Sequence, residues 1–202
     1  MKRTKEEAAI TRELLLKKAL VVFSKKGYTA ATLQDIGNEA NVTRGAIYWH
    51  FGSKAELYNS LIREYSARGN LIVQKAASEG GTLIEILRRV FVCQLEVIES
   101  DPEMRAIMEL HLFKTGHVPE LVDGRQQQID SGLGLINMLA GIMEQGAKAG
   151  IIRSDVDAKE LARAYLAFQN GLVQQWLISP DQYSLSACAN SFADIIIAGI
   201  QV

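Results

Sequence analysis

Residues 32–54, TLQDIGNEANVTRGAIYWHFGSK, carry helix start and stop signals so closely spaced that only short helices fit between them. Thr32 with Asp35 three residues later is a capping-box variant, and Leu33, Ile36 and Ala40 then fall on one helical face. Asn41 stands where a left-handed residue ends that helix, a place where Asn is the next choice after Gly. Thr43 caps a second helix, whose Ile47 and Phe51 point inward. Arg44 and Tyr48 then share another face, with Gly45 and Trp49 beside them. Gly52 closes the helix, and Ser53 with Glu56 opens the next as a full capping box. The pattern is a helix–turn–helix hairpin. Its outward face is basic, aromatic and small, which suits a DNA major groove better than solvent: an Arg near the helix start can donate a bidentate pair to guanine, Gly45 permits close approach, and Tyr48 can reach a base or a phosphate. An ordinary helical hairpin with an incidental aromatic cluster is the alternative.

The run VTRGAIYWHFGSKAELY, preceded by GY-x-A-x-T-L-x-DI, resembles the DNA-binding domain of TetR-family repressors. Within that family it is most similar to the AcrR-like branch, whose members control multidrug efflux pumps. The resemblance is specific over residues 10–60. It continues more weakly through MEL-x-LFK (residues 108–114) and GLVQQWLISP (residues 171–180), the region where AcrR-like proteins bind ligand and dimerise. Two turn residues depart from the family pattern: Gly37 and Asn41 stand where Ala and Gly are usual. The candidate DNA-contacting set is Thr32, Gln34, Thr43, Arg44, Gly45, Tyr48, His50 and Lys54. Lys54 is placed against phosphate by the exposed N–H groups and positive dipole end of the helix that it opens.

Charge is arranged as such a protein needs. Residues 1–68 carry a formal charge of +5 and residues 69–202 of −6, which leaves the chain at −1. A basic front on an acidic body touches phosphate with one end only. Lys2, Arg3 and Lys5 form a short basic arm. The 48% of hydrophobic residues suffices for a sizeable core. No run of about 18 apolar residues and no signal-peptide pattern is present, so a soluble, cytoplasmic protein without membrane association is expected. Cys93 and Cys188 lie in apolar helical patterns and read as buried thiols. His50, His111 and His117 have no metal-ligand spacing, and no P-loop or strand-borne GxGxxG occurs. Neither an enzyme nor a cofactor is expected.

The rest of the chain reads as helix throughout, so the fold class is all-α with about nine helices. Helix 1 runs over 6–26, with Leu15, Ala19 and Phe23 inward and Gly27 closing it. Helix 4 spans about 53–76, helix 5 82–100 after a Thr82/Glu85 capping box, and helix 6 103–114. A loop fills 116–124, and helices 7, 8 and 9 cover 125–149, 157–178 and 185–200. Residues 1–52 are taken as the DNA-binding domain and 53–202 as the ligand-binding and dimerising domain, with helix 4 as the lever between them. Gly132, Gly134, Gly141 and Gly146 in helix 7 point first to close helix crossings, and otherwise to a bend or to space kept for a ligand.

Helices 8 and 9 carry apolar stripes stepping by three and four. Leu172, Trp176, Leu185, Phe192, Ile195 and Gly199 are the candidate homodimer seam, a four-helix bundle with a second copy. The resemblance implies a small hydrophobic ligand among helices 5 to 8. Its candidate contacts are Met108, Leu112, Leu135, Leu139, Phe168, Gln169 and Asn170, with Met104, Met138 and Met143 as deformable lining. Asn170 stands where some relatives have an acidic residue. The function so implied is a homodimeric repressor that binds a palindromic double-stranded operator and is released by ligand. A constitutive DNA-binding regulator is the alternative, and a helical enzyme or carrier that keeps the hairpin as scaffold is a third class.

Overall fold

A computed structural model describes residues 5–116 and 118–202, apart from the side chains of Asp123 and Gln127. The arm residues Lys2 and Arg3, and His117, lie outside the described residues. Nine α-helices follow in order, with no strand among the described residues: α1 (Lys5–Ala30), α2 (Leu33–Ala40), α3 (Arg44–Phe51), α4 (Lys54–Ser78), α5 (Leu83–Ser100), α6 (Pro102–Phe113), α7 (Val122–Lys148), α8 (Ala158–Ile178) and α9 (Leu185–Ile200). The expected 116–124 loop is shorter than its Pro and Gly content implied. A 3-10 turn over Pro119–Leu121 leads straight into α7.

Two compact units form. One comprises Met1–Ala67 and Glu103–Arg125, the other Arg68–Pro102 and Gln126–Val202. This division by packing cuts inside α4 and places α6 with the N-terminal helices, whereas the boundary expected at residue 52 is one of function.

In the first unit, α1 buries Leu15, Leu16, Ala19, Leu20 and Phe23 against Leu33 and Ile36 of α2, Ile47 and Phe51 of α3, and Leu57, Tyr58 and Leu61 of α4. Helical geometry in α1 breaks at Gly27 (φ 74°), which lets Tyr28 turn back into this core. The rings of Phe23, Tyr28 and Tyr58 pack tilted or edge-on, with centroids 5.1–6.2 Å apart. Tyr28 Oη donates to Glu120 Oε1 at 2.6 Å, and its backbone N–H donates to the Lys114 carbonyl at 2.9 Å, so α1 is tied to the end of α6 and to the turn beyond it.

The second unit is built on α5, α8 and α9. Phe91, Leu95 and Leu87 of α5, Tyr165, Leu172 and Trp176 of α8, and Leu185, Ala189, Ala193 and Ile197 of α9 are buried. Tyr165 Oη and Gln169 Nε2, one helical turn apart, donate to the Leu87 and Phe91 carbonyls at 2.7 and 3.1 Å. That pairing satisfies two polar groups that burial alone would penalise. Polar clamps at each end hold α9 on α5: Arg88 pairs with Asp194, and Glu99 accepts hydrogen bonds from Ser184 and from the Ser186 N–H. Cys93 and Cys188 are free and only half-buried, a correction to the expectation of buried thiols.

The glycines of α7 overturn the expectation of close crossings. A methyl group at Gly132, Gly134 or Gly141 would meet nothing within 4 Å, whereas one at Gly146 would lie 2.6 Å from Leu83 Cδ2 and 2.7 Å from Ile152 Cδ1. Of these four, only Gly146 is held by packing among the described residues; Gly124, in the first turn of α7, is also closely packed, against the Asn59 side chain. Helix glycines cost about 0.8–1 kcal/mol against Ala. Gly141→Ala is therefore expected to raise stability by up to about 1 kcal/mol, and Gly146→Ala to lower it by about 1–3 kcal/mol through overpacking. Chemical denaturation of the two variants checks both signs.

Candidate nucleic-acid interface

The hairpin is built by its caps. Thr32 Oγ1 accepts from the Asp35 N–H at 3.1 Å, while Asp35 Oδ2 accepts from the Thr32 N–H at 3.0 Å, closing the box expected from the spacing. Lys26 lies 2.8 Å from the other Asp35 oxygen. These hydrogen bonds, Lys26 first and Thr32 next, pull the Asp35 carboxyl down to about 2. The box is thus intact throughout the neutral range, and its contribution fades only as pH falls below about 4 and through about 2. Asn41 sits in the left-handed region (φ 54°) and its N–H donates back to the Asn38 carbonyl. Immediately after it the Val42 N–H reaches the Gly37 carbonyl at 2.9 Å. A methyl group at residue 37 would stand 2.9 Å from the Val42 carbonyl oxygen. The turn thus closes tightly onto α2 at Gly37, and a larger residue there would need the Val42 carbonyl to shift.

Thr43 Oγ1 accepts from the Ala46 N–H at 3.2 Å and so caps α3. Ile47 and Phe51 are buried as expected, which turns Arg44, Gly45, Tyr48 and Trp49 outward, all of them exposed. Arg44 Nη2 donates to Tyr48 Oη at 2.9 Å, with the guanidinium carbon 5.2 Å from the ring centroid. Among the described residues, and apart from its two chain neighbours, only the Thr43 side chain comes within 4 Å of the space a methyl group at Gly45 would fill. His50 is half-buried, edge-on to the Trp49 ring at 4.6 Å. Thr32 and Gln34 are exposed on α2, with Gln34 Nε2 donating to Asn38 at 2.9 Å. Trp49, 72% exposed, was absent from the expected set. The indole lies open to solvent beside Tyr48 on the outward arc of α3, and that place on the arc was the available signal. Arg12 was also missed. Its guanidinium lies 5.1 Å over the Phe51 ring and buttresses α3 from α1.

Lys54 does more than face solvent. Its ammonium donates to the Tyr28 and Ala31 carbonyls, each at 3.1 Å, and lies 4.4 Å from the Tyr28 ring centroid. A longer contact, 3.5 Å to the Thr29 carbonyl, holds the third N–H only weakly. Lys54 thus clamps the chain between α1 and α2 and keeps one N–H that can turn to another acceptor.

The expected ligand set is distributed over both units. In the first, Met108 is half-buried with its sulfur 3.6 Å from Tyr65 Oη, and Leu112 is exposed. In the second, Leu139 is buried, Leu135 half-buried, and Phe168 stacks on Phe91 with centroids 6.0 Å apart. Gln169 is buried among α5 and α8, but Asn170 is exposed on a different side of α8. Of the seam residues, Trp176 and Leu185 are sealed in the core of their own unit and are unavailable to a partner. Leu172 is at the edge of burial, and Phe192 is half-buried with its ring edge-on to Phe168 and Tyr183. Ile195 (62% exposed) and Gly199 are open. With Ala167, Gly171 and Ile178 of α8 and Ser191 and Ala198 of α9, they leave an uncovered strip of small and apolar residues. No cluster of three potential metal ligands exists among the described residues, and no described helix is long and apolar enough to cross a membrane.

Residues 15–61 match the family described as bacterial regulatory proteins, tetR family, and residues 82–202 match the C-terminal region of MAATS-type transcriptional repressors. The chain is similar to the HTH-type transcriptional regulator TtgR of Pseudomonas putida, 32% identical over 203 residues that cover 96% of this chain and 93% of that protein. Its fold resembles the crystal structure of NalD, the secondary repressor of the MexAB-OprM multidrug efflux pump in Pseudomonas aeruginosa, with a TM-score of 0.87, 21% identity and 98% coverage of both chains. It also resembles the SmeT–triclosan complex, with a TM-score of 0.81 and 22% identity over 96% of this chain and 92% of that one.

Because Lys54 both clamps two carbonyls and keeps a weakly held N–H, Lys54→Ala is expected to lower the melting temperature and to weaken binding to all DNA sequences alike. The slope of log affinity against log salt should fall by about one. Melting curves and salt titrations read the two effects separately.

Proposed function

The chain belongs to the tetR family of bacterial regulatory proteins, and on that premise we propose that it is a homodimeric repressor which reads a palindromic operator through α3 and is released by a small apolar compound. The observation that carries the reading is the outward face of α3: a guanidinium, a glycine and two aromatic rings, on an eight-residue helix fixed from behind by Ile47 and Phe51. Such a helix supplies too few contacts alone, so duplication about a two-fold axis is part of the proposal. Residues 1–52 do the reading, and the remainder binds ligand and dimerises. Ala167, Gly171 and Ile178 of α8, with Ser191, Ile195 and Gly199 of α9, form the seam in place of Trp176 and Leu185.

The target class is an efflux-pump operon. NalD's role at the MexAB-OprM multidrug efflux pump supports it. The SmeT–triclosan complex supports an apolar aromatic ligand, as do Leu135, Leu139 and Phe168 in the second unit. Ligand acts by differential affinity for two states of the dimer, one of which sets the reading helices about 34–36 Å apart, as half-sites one DNA turn apart require. Triclosan added to the protein–DNA complex should release the DNA and raise the melting temperature of the free protein. A protein that binds DNA unchanged at saturating triclosan and across a wider panel of apolar compounds is a constitutive regulator instead.

Two substitutions test the parts. Arg44→Ala should cost about 1–3 kcal/mol of specific binding and relax the preference at one base pair, with melting unchanged. Ile195→Glu places two copies of a carboxylate at the seam without touching the core of the unit, because the side chain is exposed. It should give a folded monomer with operator binding lost, a difference of several kcal/mol. Sedimentation velocity decides it, and an intact dimer would move the seam elsewhere.

A further inference from the structure

The Tyr28 N–H bonds to the Lys114 carbonyl where the end of α1 meets the end of α6. Beside that bond the first unit is hollowed by a cleft of about 550 Å³. Pockets that hold small molecules run from roughly 300 to 1,000 Å³. Ser24, Lys25 and Lys26 of α1 form one wall, and Phe113 of α6 with Lys114 and Thr115 just beyond it form the other. Gly27 and Gly116 also line the cleft and put no side chain into it.

Three ammonium groups and no carboxylate line this cleft, in a chain where Asp and Glu together number 23 against 22 for Lys and Arg. The sign of that local charge decides the class of ligand: cations are repelled and anions drawn in. Lys26 is paired with Asp35 at 2.8 Å. The other two ammoniums have spare capacity. Lys114 Nζ donates to the Ser24 carbonyl at 3.0 Å and stands 3.7 Å from Glu109, beyond hydrogen-bond range, so two of its three N–H groups remain. Lys25 is exposed and pairs with no carboxylate among the described residues. Ser24 Oγ is closed to solvent and has no hydrogen-bond partner among the described residues, which leaves an unfilled donor in the cleft wall. Phe113, 44% exposed, adds an aromatic surface to the cations.

We propose that this cleft binds a small aromatic compound carrying a phosphate or carboxylate group. Lys25 and Lys114 hold the anionic group as compact point charges, and Phe113 packs against the ring. A phosphate of a DNA duplex fits less well, because it brings no ring to Phe113 and rides on a convex ridge. Every lining residue belongs to the first unit, so this is a different site from the apolar region around Leu135, Leu139 and Phe168. The inference rests neither on the DNA-reading role of α3 nor on the apolar ligand.

The test is isothermal titration calorimetry of the full-length protein at low salt, with phenyl phosphate as the probe and inorganic phosphate as the ringless comparison. Phenyl phosphate should bind saturably with a Kd below about 1 mM, and inorganic phosphate at least about threefold more weakly. Lys25→Glu should weaken phenyl phosphate by about tenfold or more. Phe113→Ala should bring it down to the level of inorganic phosphate. Lys148→Glu makes the same charge change at the end of α7 and should leave binding unchanged. Lys114→Ala should also lose the probe. It removes the bond to the Ser24 carbonyl as well, so a melting curve accompanies it, and the exposed Lys25 carries the test if that variant unfolds. Saturating triclosan should not displace the probe. The absence of saturable binding overturns the proposal, as does full binding by Lys25→Glu, an equal loss in Lys148→Glu, or displacement by triclosan. Inorganic phosphate binding as tightly as phenyl phosphate overturns the aromatic class. A protein that binds no phenyl phosphate, but whose Lys25→Glu variant loses DNA affinity with a shallower salt slope, uses the cleft for a DNA phosphate instead.

Discussion

The reading unit depends on one close approach of backbone to backbone. The Val42 N–H bonds to the Gly37 carbonyl, and the Val42 oxygen lies where a Cβ at residue 37 would be crowded. That contact, with Asn41 left-handed ahead of it, sets the direction in which α3 leaves α2. The burial of Ile47 and Phe51 then sets the rotation of α3 about its own axis. Direction and rotation together determine which side chains of α3 face outward. A Cβ forced into the turn would shift α3, and with it Arg44, Gly45 and Tyr48 as a group, although residue 37 itself is buried.

The hairpin was legible because its signals are local. Caps, a left-handed residue and a three-to-four spacing act within a few residues of each other: Thr32 with Asp35 and Thr43 with Ala46 reappear as hydrogen bonds, whereas of the Ser53/Glu56 box only the Glu56 N–H to Ser53 half forms, the Glu56 carboxylate pairing with Arg63 instead. What the spacing could not give was the tertiary use of a side chain. Lys54 reads as a surface cation next to a helix start, yet its ammonium is engaged by carbonyls 23 and 26 residues earlier. The seam residues failed for a related reason. An apolar stripe on α8 has the same period whether it faces α5 or a second copy. Trp176 and Leu185 turned inward, while Ile195 and Gly199 remained outside. Periodicity reports amphipathicity; it does not name the partner.

The α7 glycines show the same limit from the opposite side. A helix glycine signals that something needs the absence of a methyl group, and close packing was the natural candidate. Among the described residues, Gly146 and, at the start of the helix, Gly124 have such a neighbour. Gly132, Gly134 and Gly141 instead leave a long stretch of α7 with weak intrinsic helicity and unoccupied flanks. In a protein whose proposed task is to exist in two states, a helix of modest local stability is a natural place for small rearrangements.

The tie between Tyr28 and Lys114 belongs to the main chain of both residues. Clamps made by side chains, such as Tyr28 with Glu120, vanish when one residue drifts to another type. A peptide N–H on a peptide carbonyl survives almost any replacement at either position. The exceptions are a proline at 28 and the loss of the glycine at 27, whose positive φ delivers the N–H and at which a Cβ would stand only 3.1 Å from the Lys114 oxygen. A lineage can therefore rewrite the end of α6 extensively, exploring new chemistry there, and still inherit the same attachment to the first helix.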